Sequence, residues 1–250
     1  MSDVSIDFVE SHVAVTCLHR PPNNFFDTAL LAELAEAYET LASNQSCRVI
    51  VLRSEGKNFC AGLDFANNRD QDIAALYDNA LRLFAAPLPV VAAVQGAAVG
   101  GGLGLALSAD FRVGTSQSRF SANFSRLGFH HGFGLTVTLP RVVGEQRAAD
   151  LLYTGRRIDG TEATRLGLCD ELVAEADLVP AAVAMAREIA GSGPLAVRAI
   201  RATLRQGLVD RLRLVMDHEC AEQEALRTTR DFAEGIRAGV ERRAPRFASE

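Results

Sequence analysis

The chain has 250 residues, 48% hydrophobic, 23% charged and 6% aromatic, with a formal net charge of −5. That balance excludes intrinsic disorder and the broad basic footprint of a nucleic-acid binder, and the length suffices for a continuous core in one or two domains. Five cysteines (Cys17, Cys47, Cys60, Cys169 and Cys220), odd in number and without CxxC spacing, predict a reducing, cytoplasmic setting rather than a disulfide framework or a metal site.

The opening MSDVSIDFVE lacks a basic stretch leading into an apolar run, so no signal peptide is expected. VSIDFVE and HVAVTCL read as two short strands parted by Glu10 and Ser11. The cluster Arg20-Pro21-Pro22-Asn23-Asn24 is a turn. Asp27 is placed to cap a helix that carries Leu30, Leu31, Leu34, Tyr38 and Leu41 on one face. RVIVLRS is a buried strand that empties into the loop Glu55 to Asp64. A helix over about 71–85, the strand PVVAAVQG, a glycine run, a helix through Leu103–Ser108 and the strand DFRVGT follow. From Ala85 to Ala109 there is no charged residue. Its five glycines and two prolines nonetheless suit a buried strand, tight turn and buried helix better than a membrane span. From about Gly144 onward the periodicity is almost wholly helical. The alternation predicts an α/β core over 1–194 and a helical C-terminal portion over 195–250.

Two segments carry chemistry. In VAAVQGAAVGGGLGLALSAD a strand gives way to Gly100-Gly101-Gly102 at a helix start, where backbone amides lack intrahelical partners. By itself such a run equally suits close helix–sheet packing. It is no dinucleotide fingerprint, because Leu105 stands where the third glycine belongs. The other segment is Asn58-Phe59-Cys60-Ala61-Gly62-Leu63-Asp64. Together these resemble the crotonase superfamily, the enoyl-CoA hydratase/isomerase family, with its F-x-A-G-x-D loop and its G-G-G-x-x-L-A-L-x-x-D segment. Leu151-Leu152-Tyr153-Thr154-Gly155 with Ala163, Gly167 and Leu168, and then Glu234-Gly235 with Glu241-Arg242-Arg243, Pro245 and Phe247, extend the likeness along the chain.

The resemblance implies a spiral of ββα units whose helical C-terminal portion mediates trimers or hexamers. It implies an acyl-CoA thioester as substrate, with coenzyme A as part of that substrate and no separate cofactor. Ala61, Gly62, Leu63 and Gly101 would hold the thioester, the Leu63 and Gly101 amides forming an oxyanion hole for its carbonyl. No metal, nucleic-acid or membrane partner is expected. The family's two hydratase glutamates fall on Gly104 and Phe124, so this chain departs from standard hydration and points to double-bond isomerisation or a lyase or hydrolase variant; a non-catalytic CoA-binding subunit is the alternative. Replacement acid/base groups are His131 and His130, beside the position (Gly132) where diverged relatives hold an aspartate, and Tyr77 on the helix before PVVAAV. A loop-shaping role for the histidines and a packing role for Tyr77 stay open. Asn67 to Asp70 read as a loop over the pocket, and Arg242, Arg243 and Arg246 as a solvated face with a possible contact to CoA phosphates.

Overall fold

A computed structural model describes residues 2–64 and 72–250. The chain begins with β1 (Val4–Glu10) and β2 (Val13–Leu18), antiparallel about a tight turn in which His12 takes φ +72°. Helix α1 (Thr28–Ser43) starts where the Asp27 carboxylate accepts from the Leu30 amide at 2.8 Å, and Leu30, Leu31, Leu34, Tyr38 and Leu41 are all buried. Next come β3 (Val49–Ser54), α2 (Ile73–Ala85, capped by Asp72), β4 (Val90–Val94), β5 (Ala97–Val99) and α3 (Gly101–Ser108). They lead to β6 (Phe111–Gly114), β7 (Arg119–Ser121) and a 3-10 turn over Asn123–Leu127. The rest is α4 (Leu135–Val143), α5 (Glu145–Thr154), β8 (Ile158–Asp159), α6 (Gly160–Arg165), β9 (Glu171–Leu172), α7 (Leu178–Ala190), α8 (Pro194–Leu204), α9 (Leu208–Arg227) and α10 (Arg230–Glu241).

Among the described residues the strands form a six-stranded sheet, β1-β2-β3-β4-β6-β9, parallel beyond the first hairpin, and a three-stranded sheet, β5-β7-β8. Alternation along β2, β3 and β4 sorts their side chains to two layers. Val13, Val15, Val49, Val51, Val91 and Ala93 pack on Leu178, Ala182, Ala186 and Ala190 of α7. Ala14, Ile50, Leu52, Val90, Ala92 and Val94 join α1, α2 and α3 in the larger core. Strands buried on both faces explain the continuous apolar runs. Each parallel strand of the large sheet hands its C-terminal end to a loop, and the two loops after β3 and β4 meet.

Helix α8 is fastened to this frame by charge. Asp110 accepts from the Val90 amide (2.9 Å) and pairs with Arg201 and Arg205, each at 2.9 Å. Arg205 also donates to the carbonyls of Phe84 (3.3 Å) and Ser108 (3.1 Å), capping α2 and α3 at their C-terminal ends. Burial drives its guanidinium down to about 10.

Candidate active site

The site is built from backbone. In the loop after β3, the Cys60 amide donates to the Ala97 carbonyl (2.9 Å) and the Cys60 carbonyl accepts from Val99 (3.1 Å), so the loop runs beside β5. The Gly62 carbonyl accepts from the Phe26 amide at 3.0 Å. Gly62 has φ +83°, and a Cβ there would stand 2.8 Å from the Val99 carbonyl and 3.2 Å from the Gly101 nitrogen, so only glycine fits this approach of loop to helix start. The two amides that follow, those of Leu63 and of Gly101 at the first position of α3, have no hydrogen-bond acceptor among the described residues. Both residues line one cavity, together with Ala61 and Gly62.

The cavity walls are mostly apolar: Phe26, Ile73, Leu76, Phe124, Leu127 and Phe133. At positions 104 and 124, where the resemblance would put the family's glutamates, the structure places hydrocarbon. A Cβ on Gly104 would stand 2.6 Å from Cβ of Phe133, whose ring occupies that space, and the buried Phe124 ring takes the other position. Polar groups come from Tyr77 of α2, Gln223 of α9 and Asn123. The Tyr77 hydroxyl donates to Gln223 Oε1 at 3.0 Å, and Gln223 Nε2 donates to the His130 carbonyl at 2.9 Å. Burial, reinforced by the nearby Glu219 carboxylate, raises the phenol's pKa far above its ordinary value, so it stays protonated.

His130 and His131 require a correction. Their main chain borders the cavity through Gly132, but neither ring lines it. The two rings stack at 4.2 Å and turn towards α9. His130 Nδ1 lies 2.7 Å from the His131 carbonyl, and His131 Nε2 lies 2.8 Å from Oγ1 of Thr136. The reason is steric: a Cβ at position 132 would fall 1.8 Å from the Tyr77 oxygen, so the phenol already fills the space that a functional side chain of this loop would use. Burial, with the neighbouring His130 charge, pushes His131 down to about 4, away from neutral proton transfer.

Other expectations resolve by geometry. Cys60 is fully buried, its sulfur accepts from the Gly62 amide (3.4 Å), and burial pushes its thiol up to about 12, which suits packing rather than nucleophilic attack. Arg243 pairs with Glu234 and Glu241. Asn67, Asn68, Arg69 and Asp70 lie outside the described residues. Among the described residues no group of three histidine, cysteine or carboxylate side chains is arranged to hold a metal, and no helix is long and apolar enough to cross a membrane. Sequence reading missed Phe26, Asn123, Phe133 and Gln223 as lining residues. Gln223 lies 146 residues from its partner Tyr77, and no local pattern joins them.

The family model for enoyl-CoA hydratase/isomerase matches residues 9–250. The crotonyl-CoA hydratase of Syntrophomonas wolfei is 33% identical over 250 residues, covering 96% of each chain. Among solved structures, an enoyl-CoA hydratase/isomerase from Pseudoalteromonas atlantica superposes with a TM-score of 0.88 at 25% identity, over 98% of this chain and all of that one. An enoyl-CoA hydratase from Bacillus anthracis gives 0.78 at 32% identity, over 99% of this chain and all of its own. The strand order, the paired loops and these matches agree: the chain belongs to the enoyl-CoA hydratase/isomerase family of the crotonase superfamily.

Proposed function

We propose that this chain is an enzyme that binds an acyl-CoA thioester with its carbonyl oxygen on the Leu63 and Gly101 amides and works through the thioester enolate, by isomerisation or by a lyase or hydrolase route rather than standard hydration. The observation that carries the reading is the pair of acceptor-free amides, one of them at a helix start, opening on an apolar cavity. Two preorganised donors in a site that excludes water stabilise an oxyanion far better than water does, and one such donor is typically worth about 10²–10³ in rate. Hydration needs an acid and a base beside the acyl chain, and Gly104 and Phe124 supply neither.

Crotonyl-CoA hydration, followed by loss of the enoyl thioester absorbance, should therefore be negligible. Turnover on the order of 10 per second, ordinary for an enzyme, would overturn that expectation. A panel of enoyl-, dienoyl- and β-ketoacyl-CoA thioesters is the positive search. The donor role is tested by comparing Gly101→Pro with Gly101→Ala. Both add a Cβ, but only proline removes the amide, so activity lower in the proline variant by about 10²–10³ supports the oxyanion hole and equal activities overturn it.

A second reading, a CoA-binding subunit without turnover, is favoured by one observation. Among the described lining residues only Tyr77 titrates, and burial keeps it neutral. Binding of acyl-CoA without any change across the panel would select it. A cytoplasmic setting accords with the five unbridged cysteines.

A further inference from the structure

The Leu63 and Gly101 amides sit on different segments, one in the loop after β3 and one behind β5, so a carbonyl oxygen takes both donors only if those segments keep a fixed spacing. Three asparagines that do not line the cavity supply it. The Ala97 amide at the start of β5 donates to Asn58 Oδ1 at 3.0 Å. A backbone amide can only donate, which fixes the orientation of the Asn58 carboxamide, and its Nδ2 donates in turn to Asn23 Oδ1 at 2.8 Å. Asn58 thus spans from the turn at Asn23 to the strand that runs into Gly101. Gly96 is shaped to this bridge: its φ is +54°, and a Cβ there would fall 2.8 Å from Asn58 Oδ1.

Asn24 ties the same knot from inside. It is wholly buried, accepts from the Arg20 amide at 3.0 Å, and donates to the carbonyls of Glu55 and Asn58 at 2.7 Å each. Backbone bonds continue along this segment. The Asn58 amide donates to the Pro22 carbonyl (3.1 Å), the Ala61 amide to the Asn23 carbonyl (2.9 Å) and the Phe26 amide to the Gly62 carbonyl (3.0 Å). The loop that ends in Leu63 therefore lies between two templates, the 22–26 segment on one side and β5 on the other, and the Asn58 side chain is bonded to both.

We propose that Asn58, braced by Asn23 and Asn24, is a positioning residue of the oxyanion hole, setting the spacing of the Leu63 and Gly101 amides without touching the substrate. The proposal rests on the acyl-CoA reading above. Donors to an oxyanion act over a narrow range of distance, and a misplacement of about 1 Å in such a site costs on the order of 10²-fold in rate. A hydrogen-bonded layer behind the two amides is what holds them within that range.

The test reads the bound carbonyl directly, by isotope-edited infrared difference spectroscopy of butyryl-CoA labelled at the thioester carbonyl and saturating the full chain. On the wild type the carbonyl stretch should fall below that of the free thioester, because two donors polarise the bond. Asn58→Ala should remove at least half of that shift. Asn23→Ala, a milder cut at a part-exposed position, should lower it in the same sense and serves if Asn58→Ala does not fold. Asn58→Asp keeps an acceptor for the Ala97 amide, and its second oxygen accepts from Asn23 once that carboxamide turns over, so the shift should be retained. Adding Asn23→Ala to Asn58→Asp should lose it again. Val15→Ala opens space against α7, on the far face of the sheet, so it should lower the melting temperature and leave the shift intact. A purely structural role for Asn58 would make the shift follow stability, falling in Val15→Ala as well and unrescued by aspartate. A wild-type shift that survives the alanine variants unchanged overturns the inference and leaves the acyl-CoA reading standing. Butyryl-CoA that binds the wild type without a shift, or fails to bind, overturns both.

Discussion

A Cβ on Gly101 would not point at a bound carbonyl; it would fall 2.4 Å from Cζ of Phe26, a ring only 3% exposed. The glycine is there to let that ring close the cavity wall beneath the amide. Gly104 plays the same part for Phe133, so a glutamate introduced at 104 meets the Phe133 side chain before it reaches any substrate. Both positions follow the rule that a close-packed interior resists one added methyl by about 1–3 kcal/mol. Gly101→Ala should therefore lower the melting temperature by about 2–10 °C in a chain of this size. Combining it with Phe26→Leu should recover part of that loss, since the ring edge that clashes is removed. An unchanged melting temperature in Gly101→Ala would show that the Phe26 ring moves aside freely. That Gly101 opens a helix with an unpaired amide was legible in the sequence, because a glycine run between a strand and a buried helix is a local signal. The direction of its missing side chain was not, because Phe26 reaches it from a distant part of the chain.

Helix α9 does more for the site than its sequence discloses. Leu212 and Met216 pack by the turn at Gly134, whose added Cβ would lie 2.6 Å from Leu212. One turn on, Glu219 is wholly buried and accepts from the Gly134 amide (2.8 Å), the Thr136 amide (3.1 Å) and the Thr136 hydroxyl (2.6 Å) at the start of α4. Gln223, another turn on, holds the His130 carbonyl. The helix thus pins the loop at His130, Gly134 and Thr136 from one face, with contact residues at i, i+3 and i+4 spacing. Burial shifts the two titratable groups here in opposite senses, raising Glu219 and lowering His131 to about 4. The histidine is neutral when folded, so its protonation favours the unfolded chain, with an unperturbed pKa of about 6.5. Its contribution is fully present above pH 6.5 and is lost as pH falls towards 4, for a total of about 3 kcal/mol. Protonating Glu219, whose pKa burial raises, favours the folded state and so opposes the histidine, and its Oε1 lies 3.9 Å from His131 Nε2, so the two groups act on the pH dependence together. His131→Gln should shrink the gap between urea midpoints measured at pH 7 and pH 4.5; an unchanged gap would show that the ring is not held neutral. Helix α1, with its Asp27 cap and apolar stripe, was legible because cap and stripe are adjacent in sequence. Strands β8 and β9, two residues each, were hidden in a stretch read as helical because no alternation develops over such lengths.

At the scale of the molecule, the C-terminal helices carry an apolar surface with no partner in the single chain. Leu195, Ile200 and Leu204 of α8 are 80%, 59% and 69% exposed, Leu214 of α9 is 72% exposed and Val240 of α10 is 68% exposed. Scattered exposed apolar residues are ordinary, but three on one short helix that is pinned to the core by Arg201 and Arg205 form a rigid, preorganised face. We propose that this face is covered by further copies of the chain in a trimer, as the family resemblance implies. Closed cyclic assembly buries such a face without leaving an open end. Sedimentation velocity at micromolar concentration should then give a species near three times the 26.8 kDa chain mass. Leu195→Lys with Leu204→Glu replaces two exposed side chains that no core contact depends on, so the folded chain should survive, its circular dichroism unchanged, and sediment as a monomer. A wild-type chain that sediments as a monomer would mean that the face serves another partner. A trimer indifferent to both substitutions would place the interface elsewhere on the molecule.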